Sequence, residues 1–76
     1  MIKELDVVVL TAAIPEEGLE PGDVGTVVHA YPDGQAYEVE FMTVDGKTVA
    51  VATVEVSQVR PVNPREITHA REMGAR

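Results

Sequence analysis

The chain has 76 residues and a formal net charge of −7, from 13 acidic and 6 basic side chains. So short a chain forms one small domain, and the absence of cysteine excludes disulfides and thiolate chemistry. The apolar fraction of 45% is too high for a disordered chain. Much of it is valine, which favours strands, so the composition predicts an all-β fold.

The charge is distributed unevenly along the chain. Residues 1–60 carry eleven acids against Lys3, Lys47 and Arg60, whereas residues 61–76 carry two acids against three arginines. The body is therefore an anion and the tail is weakly basic. The N-terminal residues lack the apolar core of a signal peptide, and no apolar run has the length of a membrane span. We expect a cytoplasmic protein without membrane contact.

The first predicted strand, residues 5–11 (LDVVVLT), is an apolar run with one charge. A loop at residues 12–23 follows, with two prolines, two glycines and four acids. Loops this long in a small domain often carry function. We expect Ile14 and Leu19 to fold back onto the core. The sequence predicts a partner-binding rim formed by the four loop carboxylates, Glu16, Glu17, Glu20 and Asp23.

Three further strands are predicted at residues 24–31, 36–42 and 48–56. The third alternates cleanly, which places Tyr37, Val39 and Phe41 on one face and Glu38 and Glu40 on the other. Turn signals separate the strands, a Pro-Asp-Gly sequence before the third and an Asp-Gly pair before the fourth. A switch in valine spacing predicts a bulge near residues 52–53. The glycines with predicted turn or bulge roles are Gly22, Gly25, Gly34 and Gly46.

A single 3₁₀ turn and a short edge strand at residues 59–62 are predicted to complete a domain of residues 1–62. The tail, residues 63–76, begins with Asn63, Pro64 and Glu66, the residues of a helix start. The sequence predicts a helix over residues 64–73, ended by Gly74. Because a helix of about ten residues is marginal alone, it must dock on the domain or on another chain. Its predicted partner-binding stripe is Ile67, Ala70 and Met73.

Five short strands, a long first loop and a 3₁₀ turn before the last strand describe a small SH3-like barrel with a C-terminal helix. The stretch from Gly22 to Val28 (GDVGTVV) resembles the G-D-x-G-x-V core of SH3-like and KOW-type barrels, which occur in ribosomal and transcription proteins. The motif describes a scaffold and not an activity.

A wider resemblance covers roughly residues 3–62. The segments LDVVVLT, IPEEGL, GDVGTVV and AYEVEF, with Val59-Arg60 at the end, resemble a family of short bacterial and cyanobacterial proteins of the DUF4926 type. The resemblance implies an SH3-like β-barrel. It supplies no activity, cofactor or catalytic residue.

Candidate chemistry is sparse. Glu38 and Glu40 are two apart on one strand face, but acid–base work would need one of them desolvated so that its pKa rises. A solvated outer face is the simpler interpretation. His29 and His69 lie forty residues apart without nearby partners, which disfavours a metal site. With no nucleophile elbow, phosphate loop or HExxH motif, the sequence predicts no enzyme, no cofactor and no metal.

Nucleic-acid binding is disfavoured because its affinity depends on neutralising phosphates, which eleven body acids would repel. The expected function is therefore non-catalytic: this protein would bind another protein that carries basic charge. It would do so as an accessory subunit or as an antitoxin- or immunity-type partner. The loop acids would steer the partner, and the tail would dock on the domain or form a homodimer. A KOW-like nucleic-acid-binding module and a self-assembling structural module are the alternatives.

Overall fold

A computed structural model describes residues 2–73. The all-β prediction is confirmed, because these residues form five strands and two 3₁₀ turns. The first 3₁₀ turn spans Pro15–Glu17, within the long loop, and the second spans Val56–Gln58. The strands are β1 (Val7–Leu10), β2 (Val24–Ala30), β3 (Ala36–Met42), β4 (Thr48–Glu55) and β5 (Val59–Pro61).

The strands form one antiparallel sheet in the order β4-β3-β2-β1-β5. Consecutive strands β1 to β4 pair as neighbours through short connections, apart from the long loop between β1 and β2. The last strand returns to the free side of β1, where Val9 lies opposite Arg60 and Leu10 opposite Val59. β1 is therefore held between β2 and β5, and the long loop leaves from its end.

The core of the sheet consists mainly of aliphatic side chains. Val8, Val27, Val39 and Val54 are fully excluded from solvent, as is nearly all of Leu10. The predicted alternation of β3 is confirmed, because Tyr37, Val39 and Phe41 are buried while Glu38 and Glu40 are not. Valine packs well on a pleated surface, which explains a core built largely from one residue type.

The long loop is folded tightly against the core. Ile14 and Leu19 form an isolated bridge, with Ile14 N–H to Leu19 O at 2.9 Å, and both side chains are buried as expected. Gly18, in the left-handed conformation, donates its N–H to Pro15 O at 3.0 Å and ends the 3₁₀ turn. The loop thus presents its polar residues outward from a frame fixed by two apolar anchors.

Register shifts occur at two places in the sheet. One lies between Val27 and His29 in β2, so Val28 is an extra residue opposite β3. The other lies between Phe41 and Met42, opposite Val49. The bulge predicted near residues 52–53 is wrong in position, because the pairing is regular from Ala50 to Glu55. A bulge increases the local twist of the strand that carries it.

The predicted C-terminal helix is wrong for the described part of the tail. Residues 64 and 65 form a turn and residues 66–73 have no regular structure. The start signals do act locally, because Asn63 Oδ1 accepts the Arg65 N–H at 2.9 Å and Glu66 N–H bonds to Asn63 O at 2.9 Å. These contacts close one turn, and no helix continues from it. This is expected because the free-energy cost of starting a helix exceeds the gain from adding a few helical residues. Gly74, the predicted helix end, lies outside the described residues.

Candidate functional site

The four loop carboxylates occupy different environments. Glu16 and Glu17 lie in the 3₁₀ turn and are exposed. Glu20 and Asp23 bracket a turn in which Asp23 N–H donates to Glu20 O at 3.0 Å. In return, the Glu20 N–H donates to Asp23 Oδ2 at 2.8 Å. The side chain of Asp23 is only 18% exposed, so it is the one loop acid held in a fixed position.

A tail arginine occupies this turn. Arg71 Nε–H donates to Asp23 Oδ1 at 2.9 Å, and its Nη2–H donates to Asp23 Oδ2 at 2.6 Å. The same Nη2 reaches the Gly18 carbonyl oxygen at 2.9 Å, and Glu20 Oε1 lies 3.7 Å from Nε. We call the groups of Gly18, Glu20 and Asp23 that surround the guanidinium the arginine cradle. Paired parallel bonds to a carboxylate are the strongest arrangement available to arginine.

The electrostatics of the cradle favour charged forms on both sides. The side-chain hydrogen bond from Arg71 holds the pKa of Asp23 below its ordinary value, assisted by the Glu20 backbone N–H and opposed by burial. The same hydrogen bond raises the pKa of Arg71. Because Arg71 and Asp23 are 24% and 18% exposed, solvent screens this pair less than it screens a fully exposed one.

An open groove of about 900 Å³ continues from the cradle. One side is the tail from Thr68 to Met73, and the other is the β3–β4 hairpin. Apolar side chains contribute much of the lining, and several remain in contact with solvent. Met42 is 50% exposed, and Val44 at the hairpin tip is fully exposed. The groove therefore joins a charged end to an apolar wall.

The three tail residues predicted to share a helical face do not do so. Ile67 is 93% exposed and Ala70 is exposed, whereas Met73 is half-buried and lines the groove. The tail residue with the most specific contacts is Arg71. The sequence interpretation counted it only as a charge, since nothing local connects it to a loop 48 residues away. The opposite charges of body and tail were the one sequence signal that pointed to a contact between them.

Glu38 and Glu40 lie on the outer face, as predicted, and each accepts a bond from β4. Thr53 Oγ1–H donates to Glu38 Oε2 at 2.6 Å, and Thr48 Oγ1–H donates to Glu40 Oε2 at 2.6 Å. The Tyr31 hydroxyl donates to Glu38 Oε2 at 2.5 Å. The hydrogen bonds from Thr53 and then Tyr31 lower the pKa of Glu38. This carboxylate is thus held in its charged form at neutral pH.

The two histidines lie apart. His29 is exposed, packs edge-on against Tyr31 with ring centroids 4.8 Å apart, and has Glu4 Oε2 3.5 Å from its Nδ1. His69 lines the groove. Among residues 2–73, no three His, Cys, Asp or Glu side chains are grouped so that they would hold a metal ion. Nor does this part of the chain contain a helix long and apolar enough to cross a membrane.

The glycines predicted at turns and bulges have two distinct roles. Gly22, Gly34 and Gly46 have positive φ angles of 96°, 72° and 90°. Gly25 instead lies in the sheet beneath β3, where an added Cβ would be 2.6 Å from Val39 Cγ1 and 2.9 Å from the Glu40 carbonyl oxygen. It therefore permits close contact between β2 and β3, two residues after the cradle residue Asp23.

Comparison with known proteins adds one assignment. No curated protein and no solved structure matches this chain. Residues 4–61, by contrast, match the family model described as a domain of unknown function, DUF4926. The match covers all five strands and the arginine cradle, and it ends ten residues before Arg71. The chain belongs to the DUF4926 family.

Proposed function

We propose that this protein is a small non-catalytic binding module that takes a basic protein partner on its acidic loop face. The scaffold we propose is an SH3-like barrel. Three features support it: the strand order β4-β3-β2-β1-β5, the long loop after β1, and the 3₁₀ turn between β4 and β5. Such a module would act in a bacterial cytoplasm as an accessory subunit or as an antitoxin- or immunity-type partner.

The observation that carries the proposal is the seating of Arg71 in the loop. A cationic side chain from a distant segment makes three hydrogen bonds with Asp23 and the Gly18 carbonyl. The loop surface therefore has the geometry to receive basic side chains, and not only the charge. Exposed Glu16 and Glu17 extend the negative surface around this point.

The remaining electrostatics favour protein over nucleic acid. A net charge of −7 repels phosphates, whereas it attracts a basic protein surface and raises its association rate. A non-catalytic role is supported at Glu38, because a general acid needs a raised pKa and hydrogen bonds lower this one.

Equilibrium binding of two fluorescent probes tests the proposal. One probe is an eight-residue peptide of alternating arginine and serine, and the other is a single-stranded RNA of similar length. We expect the peptide to bind and the RNA not to bind. The Glu16→Gln/Glu17→Gln/Glu20→Gln variant should weaken peptide binding, whereas the matched control Glu4→Gln/Asp33→Asn/Glu55→Gln should not. Binding of RNA in preference to the peptide would instead support the KOW-like alternative.

One specific observation favours self-assembly as a second candidate. β4 lies at the end of the sheet, and within residues 2–73 no strand pairs with its outer side. The strand is uncharged from Thr48 to Val54, and Val51 is 53% exposed. Long uncharged edges are templates for pairing with another chain. At its end, the Glu55 N–H donates to Gln58 Oε1 at 2.7 Å.

Light scattering distinguishes the routes to a dimer. If the wild type is a dimer and the Val51→Lys variant is a monomer, the contact lies at the β4 edge, because a charge there opposes strand pairing. Its loss in Arg71→Ala would assign the contact to the tail, as the sequence interpretation proposed. A monomeric wild type removes self-assembly as a candidate.

A further inference from the structure

The arginine cradle is formed entirely by residues within the family match. Its occupant, Arg71, lies outside that match. Gly18, Glu20 and Asp23 lie within residues 4–61, whereas Arg71 lies in the tail beyond them. The cradle is also fixed by the fold without the tail. Gly22 N–H donates to Leu10 O at 2.8 Å, and Leu10 N–H donates to Asp23 O at 2.9 Å, so the turn is tied to the end of β1.

The cradle matches an arginine more closely than a lysine. Both oxygens of Asp23 accept from Nε and Nη2, and the Gly18 carbonyl accepts a further bond from Nη2. These contacts require a planar donor with N–H groups in a fixed fork, which the ammonium of lysine lacks. The site therefore has chemical selectivity in addition to charge.

The tail that fills the cradle is attached weakly. Residues 61–70 are all exposed, and none of them belongs to the buried core. At the start of the tail, Arg60 makes a paired contact with Glu66, with Nη1–Oε1 at 2.9 Å and Nη2–Oε2 at 2.5 Å. That contact fixes the chain up to residue 66 and does not reach residues 68–73. Those residues are positioned by Arg71 in the cradle and Met73 in the groove, and a better ligand for both would displace them.

The surface beside the cradle extends the site. Met73, two residues after Arg71, is half-buried in the groove, where Phe41, Met42 and Val49 contribute to the opposite wall. The tail around Arg71 has no regular structure in the described residues. An occupant therefore needs an arginine for the cradle and an apolar side chain two positions later, on a segment without helical structure.

We propose that the cradle and groove form an arginine-selective peptide site, and that residues 68–73 occupy it in the free protein as an intramolecular competitor. The occupant would be a segment of the partner protein with an arginine followed two residues later by an apolar side chain. This inference rests on the proposed function, since it names where and how the basic partner binds. Displacement of the tail by that segment would couple partner recognition to release of the tail.

Binding of the tail sequence in trans tests the inference on the full chain. The probe is a synthetic peptide of residues 62–73, and amide NMR shifts of Gly18, Glu20 and Asp23 report site occupancy. We expect Arg71→Ala to bind the peptide about tenfold more tightly than the wild type, because a tethered competitor acts at an effective concentration near millimolar. Arg65→Ala removes an exposed arginine of the same tail and should match the wild type.

Specificity is read from two further samples. A peptide with Lys at the position of Arg71 should bind the Arg71→Ala protein more weakly than the native peptide does. The Asp23→Asn/Arg71→Ala protein should bind neither of the two peptides. If Arg71→Ala does not fold, as shown by its NMR spectrum, Arg71→Lys replaces it, with an intermediate gain expected. The inference is overturned if wild type and variant bind the peptide equally, or if the amides of Gly18, Glu20 and Asp23 do not shift when the peptide binds.

These results separate the inference from the proposed function. If the arginine–serine peptide binds through Glu16, Glu17 and Glu20 but Arg71→Ala has no effect, the acidic face is a binding surface without a tail-gated site. If neither peptide binds, both the inference and the proposed function fail.

Discussion

Two single residues have backbone features on which the packing against β2 depends. Gly25 allows β2 to contact β3 closely, and Leu5, ahead of β1, has a φ angle of 76°. That angle lies in the left-handed region, which costs a residue with a Cβ about 1–2 kcal/mol. Leu5 keeps it because its N–H donates to Val27 O at 2.8 Å. Neither feature depends on the tail.

Replacement of Gly25 by Ala should destabilise the fold by about 3 kcal/mol. The new Cβ would lie within 3 Å of the Glu40 carbonyl oxygen and of Val39, so the paired backbones would have to separate. Gly22→Ala is the matched control, because its site is open and only its positive φ is strained, at about 1 kcal/mol. Chemical denaturation measures both. A Gly25→Ala protein as stable as Gly22→Ala would contradict the close contact.

Replacement of Leu5 by Asn should raise the melting temperature by about 4–8 °C. Asn tolerates the left-handed conformation, and a side chain that is 79% exposed gives up little packing. Leu5→Ala serves as the control, since it keeps the Cβ strain and should show no gain. Thermal unfolding followed by circular dichroism checks this. Equal melting temperatures for the Asn and Ala variants would show that no strain is released.

At the scale of elements, the sequence predicts the strands well and the tail poorly. Alternation and turn residues locate β3, because side chains on opposite faces meet solvent and core in turn. The position of the bulge at Val49 is not readable, since it depends on how β3 and β4 align. The helix prediction fails because capping residues are local signals, whereas the path of residues 66–73 is set by the distant contact of Arg71.

The candidate site, too, is predicted in part from the sequence and missed in part. The acids of residues 12–23 are visible as composition, and the loop is correctly predicted as a polar surface anchored by Ile14 and Leu19. Their arginine ligand is not visible, because a contact across 48 residues leaves no local pattern. The groove is also missed, since it forms only where the hairpin and the tail lie side by side.

The contact between loop and tail should depend on pH through Asp23. Its pKa is lowered in the folded state, so it stabilises the contact fully above its ordinary value of 3.8 and loses this effect as the pH falls through the lowered value. Arg71→Ala should return the pKa of Asp23 towards 3.8, as measured by carboxyl carbon NMR. Arg65→Ala should leave it unchanged. An unaltered Asp23 pKa in Arg71→Ala would show that Arg71 is not its partner in solution.

For the whole molecule, charge and shape favour different occupants. The net charge of −7 supports our proposal of a basic protein, and not a nucleic acid, as the partner. The cradle adds a fixed point that holds one arginine, and the β4 edge, unpaired within residues 2–73, is the separate surface that we propose for a second copy. Family membership defines the domain to which these surfaces belong, without assigning them a function.

The association rate of a basic peptide tests the central claim most directly. Stopped-flow fluorescence with the arginine–serine peptide, at low and high salt, compares the wild type with Glu16→Gln/Glu17→Gln/Glu20→Gln. We predict that the wild-type association rate falls steeply with salt, that the variant loses most of this dependence, and that dissociation rates change little. Association rates that are equal for the two proteins, and insensitive to salt, would contradict the claim that the acidic loop receives a basic partner.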